Sequence, residues 1–151
     1  MIKPYLDRGL ERAIMGFAHE VFLHLLAIIT GGVFDRFPQL KIVIGHGGEG
    51  LPFMMYRIDY MYLNARFKRP KTQLKPSGYL RRNVFVTSSG LAYAPSITFA
   101  QRELGMDRVL YAMDYPYQYD IDEVHYSDAF PISPAEKKMF FQSNAERVFR
   151  L

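Results

Sequence analysis

The chain has 151 residues, which is long enough for one domain with a hydrophobic core. Apolar residues make up 49% of it and aromatic residues 15%, a composition that excludes a disordered chain. The formal charge is +4 and there is no cysteine. Disulfides and thiolate ligands are therefore excluded, and a metal site in this chain has to use His, Asp or Glu.

The hydropathy of the sequence predicts neither a membrane-spanning helix nor a secretion signal. The longest apolar run, at residues 22–29, is interrupted by His24 and is much shorter than the about 20 residues that a span needs. The first residues, MIKPYLDRGLER, contain charges and a proline but no apolar signal core. We therefore expect no membrane partner and a cytoplasmic location.

Much of the positive charge lies in residues 64–82, NARFKRPKTQLKPSGYLRR. A basic segment of this kind is found in nucleic-acid-binding proteins, and it is also found as a solvated loop on proteins that handle anions. The segment lacks the glycine-spaced aromatic pattern of an RNA-binding sheet. We therefore favour the solvated loop, and nucleic acid is not an expected partner.

The first half of the chain predicts a long helix, a short strand and a second helix. Apolar residues at helical spacing predict the first helix over residues 10–29, namely Leu10, Ile14, Phe17, Val21, Leu25 and Ile28. Gly31 and Gly32 end it, and VFDRFPQL predicts a single turn. Residues 41–45 form a predicted buried strand, and residues 51–67 a helix with Pro52 in its first turn.

The second half alternates strands and helices in the same way. Residues 83–87 (NVFVT) and 108–113 (RVLYAM) predict strands. A helix over residues 95–104, closed by Gly105, lies between them. Two further helices are predicted over residues 121–130 and 133–149. Ser133 and Glu136 form a capping box at the start of the second of these.

Short apolar strands joined by helices predict an α/β fold with a parallel sheet. In such folds the chemistry takes place at the carboxyl ends of the strands. Polar groups follow each of the three predicted strands, at residues 45–49 (GHGGE), 87–90 (TSSG) and 114–116 (DYP). The sequence therefore predicts an active site where these three strand ends meet.

Three residues at these strand ends are candidates for chemistry. His46 has glycine on both sides, and a histidine there can act as a metal ligand, a general base or a structural donor. Glu49 is either an acid–base partner of His46 or a first-turn carboxylate that favours the helix dipole. Asp114 is either a metal ligand or general base, or the cap of a turn.

Arg57 lies about two turns into the helix that follows His46. It could bind an anionic substrate, pair with Asp59 or with a carboxylate of another subunit, or form a surface ion pair. His19 and His24 are five residues apart, which does not place two ligands on one helix face. We expect these two to be packing or loop-contact residues and His125 to be a surface residue.

Four segments together resemble one enzyme family. They are FDRFPQLKIVIGHGGEGLPFMMYRID, NVFVTSSG, LGMDRVLYAMDYPY and NAERVFRL. They resemble the amidohydrolase-related metal-dependent decarboxylases, and particularly the dihydroxybenzoate (resorcylate-type) decarboxylases. The aminocarboxymuconate-semialdehyde decarboxylases are more distant. The resemblance covers residues 17–151, in the order and spacing of the family.

The resemblance implies a (β/α)8 TIM barrel with one divalent metal ion, zinc or manganese, and a dimer or tetramer. Residues 1–151 would be the C-terminal portion of that single domain, with its last three strands and their helices. His46 would be the catalytic histidine beside the metal, and Glu49 part of its acid–base relay. Asp114 would be a metal ligand. Arg57 would bind the substrate carboxylate in a neighbouring subunit.

The chain also departs from the family pattern. The family implies a Glu-x-His or His-x-His pair on its first strand and a histidine on its fifth, and no counterpart of either precedes the first long helix. Of the implied metal ligands, Asp114 alone is present. Three strands cannot close a barrel. We therefore expect open sheet edges, an exposed apolar face, an incomplete metal site and a polypeptide that by itself is inactive or nearly so. We expect it to be a fragment of a longer product.

The function that the resemblance implies is non-oxidative decarboxylation of a small hydroxybenzoate-type aromatic carboxylic acid by a carbon–carbon lyase. Two other classes stay open. One is a metal-dependent hydrolase of a lactone or amide, because the superfamily uses the same metal to activate water. The other is a non-catalytic half-barrel that binds an acidic partner or nucleic acid through residues 64–82.

Overall fold

The computed structural model describes residues 3–64, 72–118 and 120–151. Its sheet has three short strands, β1 (Ile42–Ile44), β2 (Val84–Thr87) and β3 (Val109–Leu110), in the order β1-β2-β3. Both neighbouring pairs are parallel, with Val43 opposite Phe85 and Val86 opposite Val109. The predicted α/β fold with parallel strands is confirmed.

Helices precede the sheet, fill both crossovers and follow the last strand. The helices in the described part of the chain are α1 (Lys3–Leu6), α2 (Gly16–Thr30), α3 (Val33–Arg36), α4 (Leu51–Leu63), α5 (Pro76–Asn83), α6 (Ala94–Leu104), α7 (Ile121–Asp128), α8 (Pro134–Lys138) and α9 (Asn144–Phe149). Short 3₁₀ turns cover His46–Gly48 and Met106–Arg108, and a π-helical turn covers Met139–Ser143. No described helix has both the length and the hydropathy that a membrane crossing needs.

The hydrophobic core lies between one face of the sheet and the helices. The strand residues that join it alternate along each strand, as the pleat of a strand requires. Ile44, Val84, Val86 and Val109 belong to it, and Ile42 packs against it. The helices contribute their buried apolar residues, which are Leu25, Ile29, Phe34, Leu51, Met55, Tyr79, Leu80, Ile97, Ala100, Leu104 and Phe140, and Phe130 joins them from the bend after α7.

The opposite face of the sheet is also apolar, as it is in parallel sheets that are covered on both sides. Val43, Phe85 and Leu110 lie on it. Val43 is 37% exposed, but Phe85 and Leu110 are each only 2% exposed. Lys41 and Arg108 place their cationic groups 5.8 and 4.8 Å from the Phe85 ring centroid. The expected exposed apolar face is therefore limited to β1. Within the described sheet, β1 and β3 each have one neighbouring strand, which agrees with the expected open edges.

The first long helix begins later than its periodicity predicts. Residues 11–15 form turns, α2 begins at Gly16, and Ile14 is 71% exposed. The Gly16 N–H donates to the Leu10 carbonyl, and the Glu11 carbonyl occupies the place of a Gly16 side chain. The chain therefore folds back on itself before the helix, and this local contact overrides the apolar spacing.

The solvated loop predicted for residues 64–82 is wrong for its second half. Residues 65–71 lie outside the described part of the chain. Pro76–Asn83 is the helix α5, and its Tyr79 and Leu80 are in the core. The Tyr79 hydroxyl also binds the Asp35 carboxylate, which places the start of α5 against α3. The amphipathic pattern of α5 was hidden by the basic residues around it.

Asp59 on α4 holds the first turn of α5. Its carboxylate accepts hydrogen bonds from the Ser77 backbone N–H at 2.9 Å and the Ser77 hydroxyl at 2.6 Å. The Lys75 ammonium lies 2.9 Å away. Burial raises the pKa of Asp59, but the bonds from Ser77 and the Lys75 charge outweigh it and lower the pKa. Asp59 therefore binds a free backbone N–H in the first turn of α5 from the neighbouring helix α4, as a capping side chain does.

The third strand is shorter than the predicted 108–113. Its ladder ends after Leu110 because the next backbone N–H groups bind elsewhere. The Tyr111 N–H donates to the Phe140 carbonyl, and the Ala112 N–H donates to the Ser88 hydroxyl. Phe140 lies in the π-helical turn between α8 and α9. That turn interrupts the helix predicted over residues 133–149, whose Ser133–Glu136 capping box is confirmed.

Replacing Asp59 by Asn should destabilise the fold by about 1–3 kcal/mol, because it removes the negative charge of the carboxylate to which Ser77 and Lys75 bind. The pKa of this carboxyl is lowered in the folded state. Its contribution is therefore complete above the ordinary value of about 4 and is lost as the pH falls through the lowered folded pKa.

Urea unfolding of both proteins from pH 7 down to pH 2 measures this. The difference between them should be constant at neutral pH and should shrink at the acid end. Asp7→Asn, in the exposed Lys3–Asp7 pair, is the matched control and should cost little at any pH. Equal stabilities of the Asp59→Asn variant and the unaltered protein at pH 7 would contradict the assignment.

Candidate active site

The polar groups that follow the three strands do meet at one edge of the sheet. His46 follows β1 after Gly45, Ser88 and Ser89 follow β2, and Asp114 lies four residues beyond β3. Their position follows from the parallel pairing, which brings the carboxyl ends of all three strands to the same side. The predicted convergence of the strand ends is confirmed.

His46 lies between two carboxylates. Its Nδ1 is 2.9 Å from Glu49 Oε1, and its Nε2 is 3.8 Å from Asp114 Oδ2. The Glu49 side chain is only 11% exposed, whereas the His46 side chain is 43% exposed. An ionised carboxylate at hydrogen-bonding distance from Nδ1 fixes the tautomer with the proton on Nδ1. Nε2 is then the imidazole nitrogen that faces Asp114 and solvent.

All three of these residues have a left-handed backbone. The φ angles are 53° at His46, 54° at Glu49 and 62° at Asp114. In the described chain the one other non-glycine residue with positive φ is Arg150, near the C-terminus. This conformation costs about 1–2 kcal/mol for a residue with a side chain. Backbone strain of this kind concentrates at functional sites, where the surrounding structure holds it in place.

Serine hydroxyls hold the strand ends in register. The His46 backbone N–H donates to Ser89 Oγ at 3.2 Å, and Ser89 Oγ is 2.9 Å from Thr87 Oγ1. Ser88 Oγ donates to the Ala112 carbonyl and accepts the Ala112 N–H. The TSSG segment therefore connects β1 to β2 and β2 to β3. The sequence placed these hydroxyls at the site but did not indicate this bridging role.

Gly90 forms the floor of the site. A Cβ atom at this position would lie 3.2 Å from His46 Cδ2, 3.3 Å from Asp114 Oδ2 and 3.2 Å from Gln118 Oε1. The φ angle of Gly90 is 61°, which also favours glycine. The absent side chain thus leaves the imidazole and the carboxylate facing one space. Gln118 reaches the same space, and the sequence analysis did not identify it.

A cavity of about 430 Å³ adjoins His46 on the side of α4 and α6. Apart from the histidine ring and Ser96, its walls are glycines and apolar residues, and Phe53, Leu91 and Phe99 supply the large side chains. A second cavity, of about 400 Å³, lies between β1 and α2 and reaches His46 and Glu49. A small aromatic molecule therefore finds apolar surface on both sides of the imidazole.

Arg57 lies away from this cluster. It is exposed on the outer face of α4, next to α2, in a groove with Phe22, Met54 and Ile58. Asp59, one of the expected partners, is bound to Ser77 and Lys75 instead. Within the described residues no carboxylate pairs with Arg57. A role of Arg57 in a neighbouring subunit's site stays a prediction.

The described residues do not complete a metal site. They contain no group of three or more His, Asp and Glu side chains that could hold a metal ion. A Glu-x-His spacing does occur, at Glu123 and His125, but it is on α7, where residues two apart do not share a face. Asp114 fits as one carboxylate ligand, and a stable site needs further donors.

Nearly the whole chain matches one protein family. Residues 7–151 match the family model described as amidohydrolase. The chain belongs to the amidohydrolase family. A gamma-resorcylate decarboxylase of a Rhizobium species is 38% identical to it, over 89% of this amidohydrolase chain and 42% of the relative. The gamma-resorcylate decarboxylase of Rhodococcus jostii is 35% identical over 89% of this chain and 41% of the relative's length.

Solved structures match the fold of this amidohydrolase chain over its whole length. A 5-carboxyvanillate decarboxylase from Novosphingobium aromaticivorans, with manganese and 3-methoxy-4-hydroxy-5-nitrobenzoic acid bound, superposes with a TM-score of 0.96 at 49% identity. The superposition includes 100% of this chain and 45% of the 5-carboxyvanillate decarboxylase chain. A dihydroxybenzoic acid decarboxylase from a Polaromonas species, with manganese and 2-nitroresorcinol, gives 0.91 at 32% identity, with 99% and 46% covered. The chain thus spans less than half the length of these relatives and forms part of a TIM barrel.

Replacing Glu49 by Gln should release the tautomer of His46. In the unaltered protein the neutral imidazole should have its proton on Nδ1, because Glu49 accepts it at 2.9 Å. An amide at position 49 can turn either its oxygen or its nitrogen to the ring, so both tautomers should then be populated.

The ¹⁵N chemical shifts of the two ring nitrogens, measured by NMR above pH 8, report the tautomer directly. Glu103→Gln, which changes a half-buried carboxylate on α6 beside Arg81, is the control and should leave the His46 shifts unchanged. A proton on Nε2 in the unaltered protein would show that Glu49 does not orient the ring.

Proposed function

We propose that this chain is the site-bearing part of a metal-dependent decarboxylase that releases carbon dioxide from a hydroxybenzoate-type aromatic acid. One observation supports the proposal above the others: His46 lies between Glu49 and Asp114, all three in a left-handed backbone at the carboxyl edge of the sheet. The named relatives decarboxylate aromatic acids, and manganese is bound in two of their structures.

The reaction needs a proton at the ring carbon that carries the carboxylate, so that the bond to carbon dioxide can break. Glu49 holds the Nδ1 proton of His46 and so keeps Nε2 towards the substrate space above Gly90. His46 and Asp114 can therefore hold or pass a proton at this position, and Glu49 stabilises the imidazolium that forms. The cavity beside His46 offers a largely apolar surface to the aromatic ring of the substrate.

Asp114 is the residue of this chain that we propose as a ligand of the divalent metal. A bound metal of this kind polarises the oxygen atoms of the substrate and orients it. Because the described residues do not complete a site, further ligands have to come from elsewhere in the functional protein. Zinc and manganese both accept carboxylate and histidine ligands.

Arg57 enters the proposal as a substrate-binding residue that acts across a subunit interface. It is exposed on the outer face of α4, in a groove that His46, Glu49 and Asp114 do not line, so a carboxylate of a neighbouring subunit can reach it. Exposed aromatic residues on the same helix, Phe53, Tyr56 and Tyr60, are compatible with a homo-oligomer.

Replacing His46 by Asn should lower the rate of carbon dioxide release from a 2,6-dihydroxybenzoate substrate by about 10²–10⁴-fold, because it removes the acid–base group. Asparagine tolerates the left-handed backbone of this position, so the fold should be kept. The assay uses full-length protein with manganese and measures both carbon dioxide and the phenolic product.

His125→Asn is the matched control, because His125 is an exposed residue of α7, and this variant should retain full activity. Normal carbon dioxide release by His46→Asn would overturn the proposed role. A product that has gained water instead of losing carbon dioxide would replace the decarboxylase by the hydrolase alternative.

Mixing two inactive variants tests Arg57. Full-length His46→Asn and Arg57→Met proteins should each be inactive, but their mixed oligomers should regain activity, because one site then has both residues intact. For random mixing of dimers about a quarter of the unaltered activity is expected. Co-expression with two different affinity tags isolates the mixed species. No activity in the isolated mixed species would place Arg57 and His46 in the same subunit's site. Normal activity of Arg57→Met by itself would remove Arg57 from the site.

A further inference from the structure

Gln118 lies at the site in a fixed orientation. Its side-chain nitrogen donates to the Gly90 carbonyl and to Glu123 Oε1, both at 3.1 Å. A backbone carbonyl and an ionised carboxylate can only accept, so both neighbours require the amide nitrogen to face them. The orientation of the amide is therefore set by its two partners rather than left to chance.

The same two bonds turn the amide oxygen towards the site. Gln118 Oε1 lies 3.2 Å from the position that a Gly90 Cβ would occupy, and Asp114 Oδ2 and His46 Cδ2 lie at 3.3 and 3.2 Å from that point. In the described part of the chain no protein donor is bound to this oxygen. Gln118 is exposed, so a ligand can reach it. Gln118 thus presents an acceptor beside Asp114.

We propose that Gln118 Oε1 accepts a hydrogen bond from a ring hydroxyl of the aromatic acid and thereby selects a hydroxyl over a methoxyl group at that ring position. This inference rests on the proposed function, since it assumes that the acid lies above Gly90. A hydroxyl can donate to the amide oxygen, whereas a methoxyl oxygen can only accept and would face another acceptor. A site built to accept a donor rejects an analogue that lacks one.

Glutamine suits this role better than glutamate. A carboxylate at position 118 would place negative charge against the Glu123 carboxylate and against the Gly90 carbonyl, and neither could donate to it. It would turn away from the site to avoid this repulsion. The amide therefore combines two donors that anchor it with one acceptor that is free to bind.

The test is the preference between two acids that differ at one group. Full-length protein with manganese is titrated calorimetrically with 2,6-dihydroxybenzoate and with 2-hydroxy-6-methoxybenzoate, and carbon dioxide release is measured on both. The unaltered protein should bind the dihydroxy acid more tightly. In Gln118→Met, which keeps the side-chain length but replaces the amide oxygen by a thioether that accepts only weakly, this preference should fall about three- to tenfold, while the affinity for the methoxy acid stays the same.

Gln142→Met is the matched control, because Gln142 also pairs its amide with a glutamate, Glu146, on an exposed surface away from the site. Its preference should equal that of the unaltered protein. If Gln118→Met keeps the full preference, the inference is wrong, whether or not carbon dioxide is released. If the preference falls but neither protein releases carbon dioxide, the inference stands and the proposed decarboxylation fails. Equal binding of both acids by the unaltered protein also overturns the inference.

Discussion

The hydrogen bond from the His46 backbone N–H to the Ser89 hydroxyl joins the ends of two parallel strands, and the candidate site depends on it. Parallel pairing alone brings the strand ends to one edge, but it does not orient the loops that leave them. The bond fixes the turn after β1 against the turn after β2, and Ser88 repeats the arrangement between β2 and β3. The imidazole and the Asp114 carboxylate are thus held by backbone positions that belong to a rigid sheet.

The left-handed backbone at His46, Glu49 and Asp114 lowers the stability of the fold but fixes the geometry of the candidate site. Each of these residues turns the chain sharply away from its strand and aims a polar side chain across the edge of the sheet. The core beneath them compensates, since β2 is buried along almost its whole length. Gly90 completes the arrangement by leaving open the space that a side chain would fill.

The sequence predicted the features that arise from local chemistry. The parallel sheet followed from short apolar strands between helices, the capping box from Ser133 and Glu136, and the convergence of His46, Glu49 and Asp114 from their places after strands. It failed where a contact distant in sequence decides the outcome. Helix α5 depends on Asp59 and on the burial of Tyr79, and the early end of β3 depends on the Phe140 carbonyl. The orientation of Gln118 needs Gly90 and Glu123, which no spacing reveals.

The clamp between α4 and α5 has a consequence for how the chain tolerates change. Asp59 binds Ser77, and the Tyr62 hydroxyl lies 3.0 Å from Thr72 Oγ1, so the two ends of the connection between these helices are held independently of its length. Insertions or deletions within residues 65–71 should therefore leave the entry into β2 in place, and with it Ser88 and Ser89. This connection is where family members can diverge in length while the site keeps its geometry.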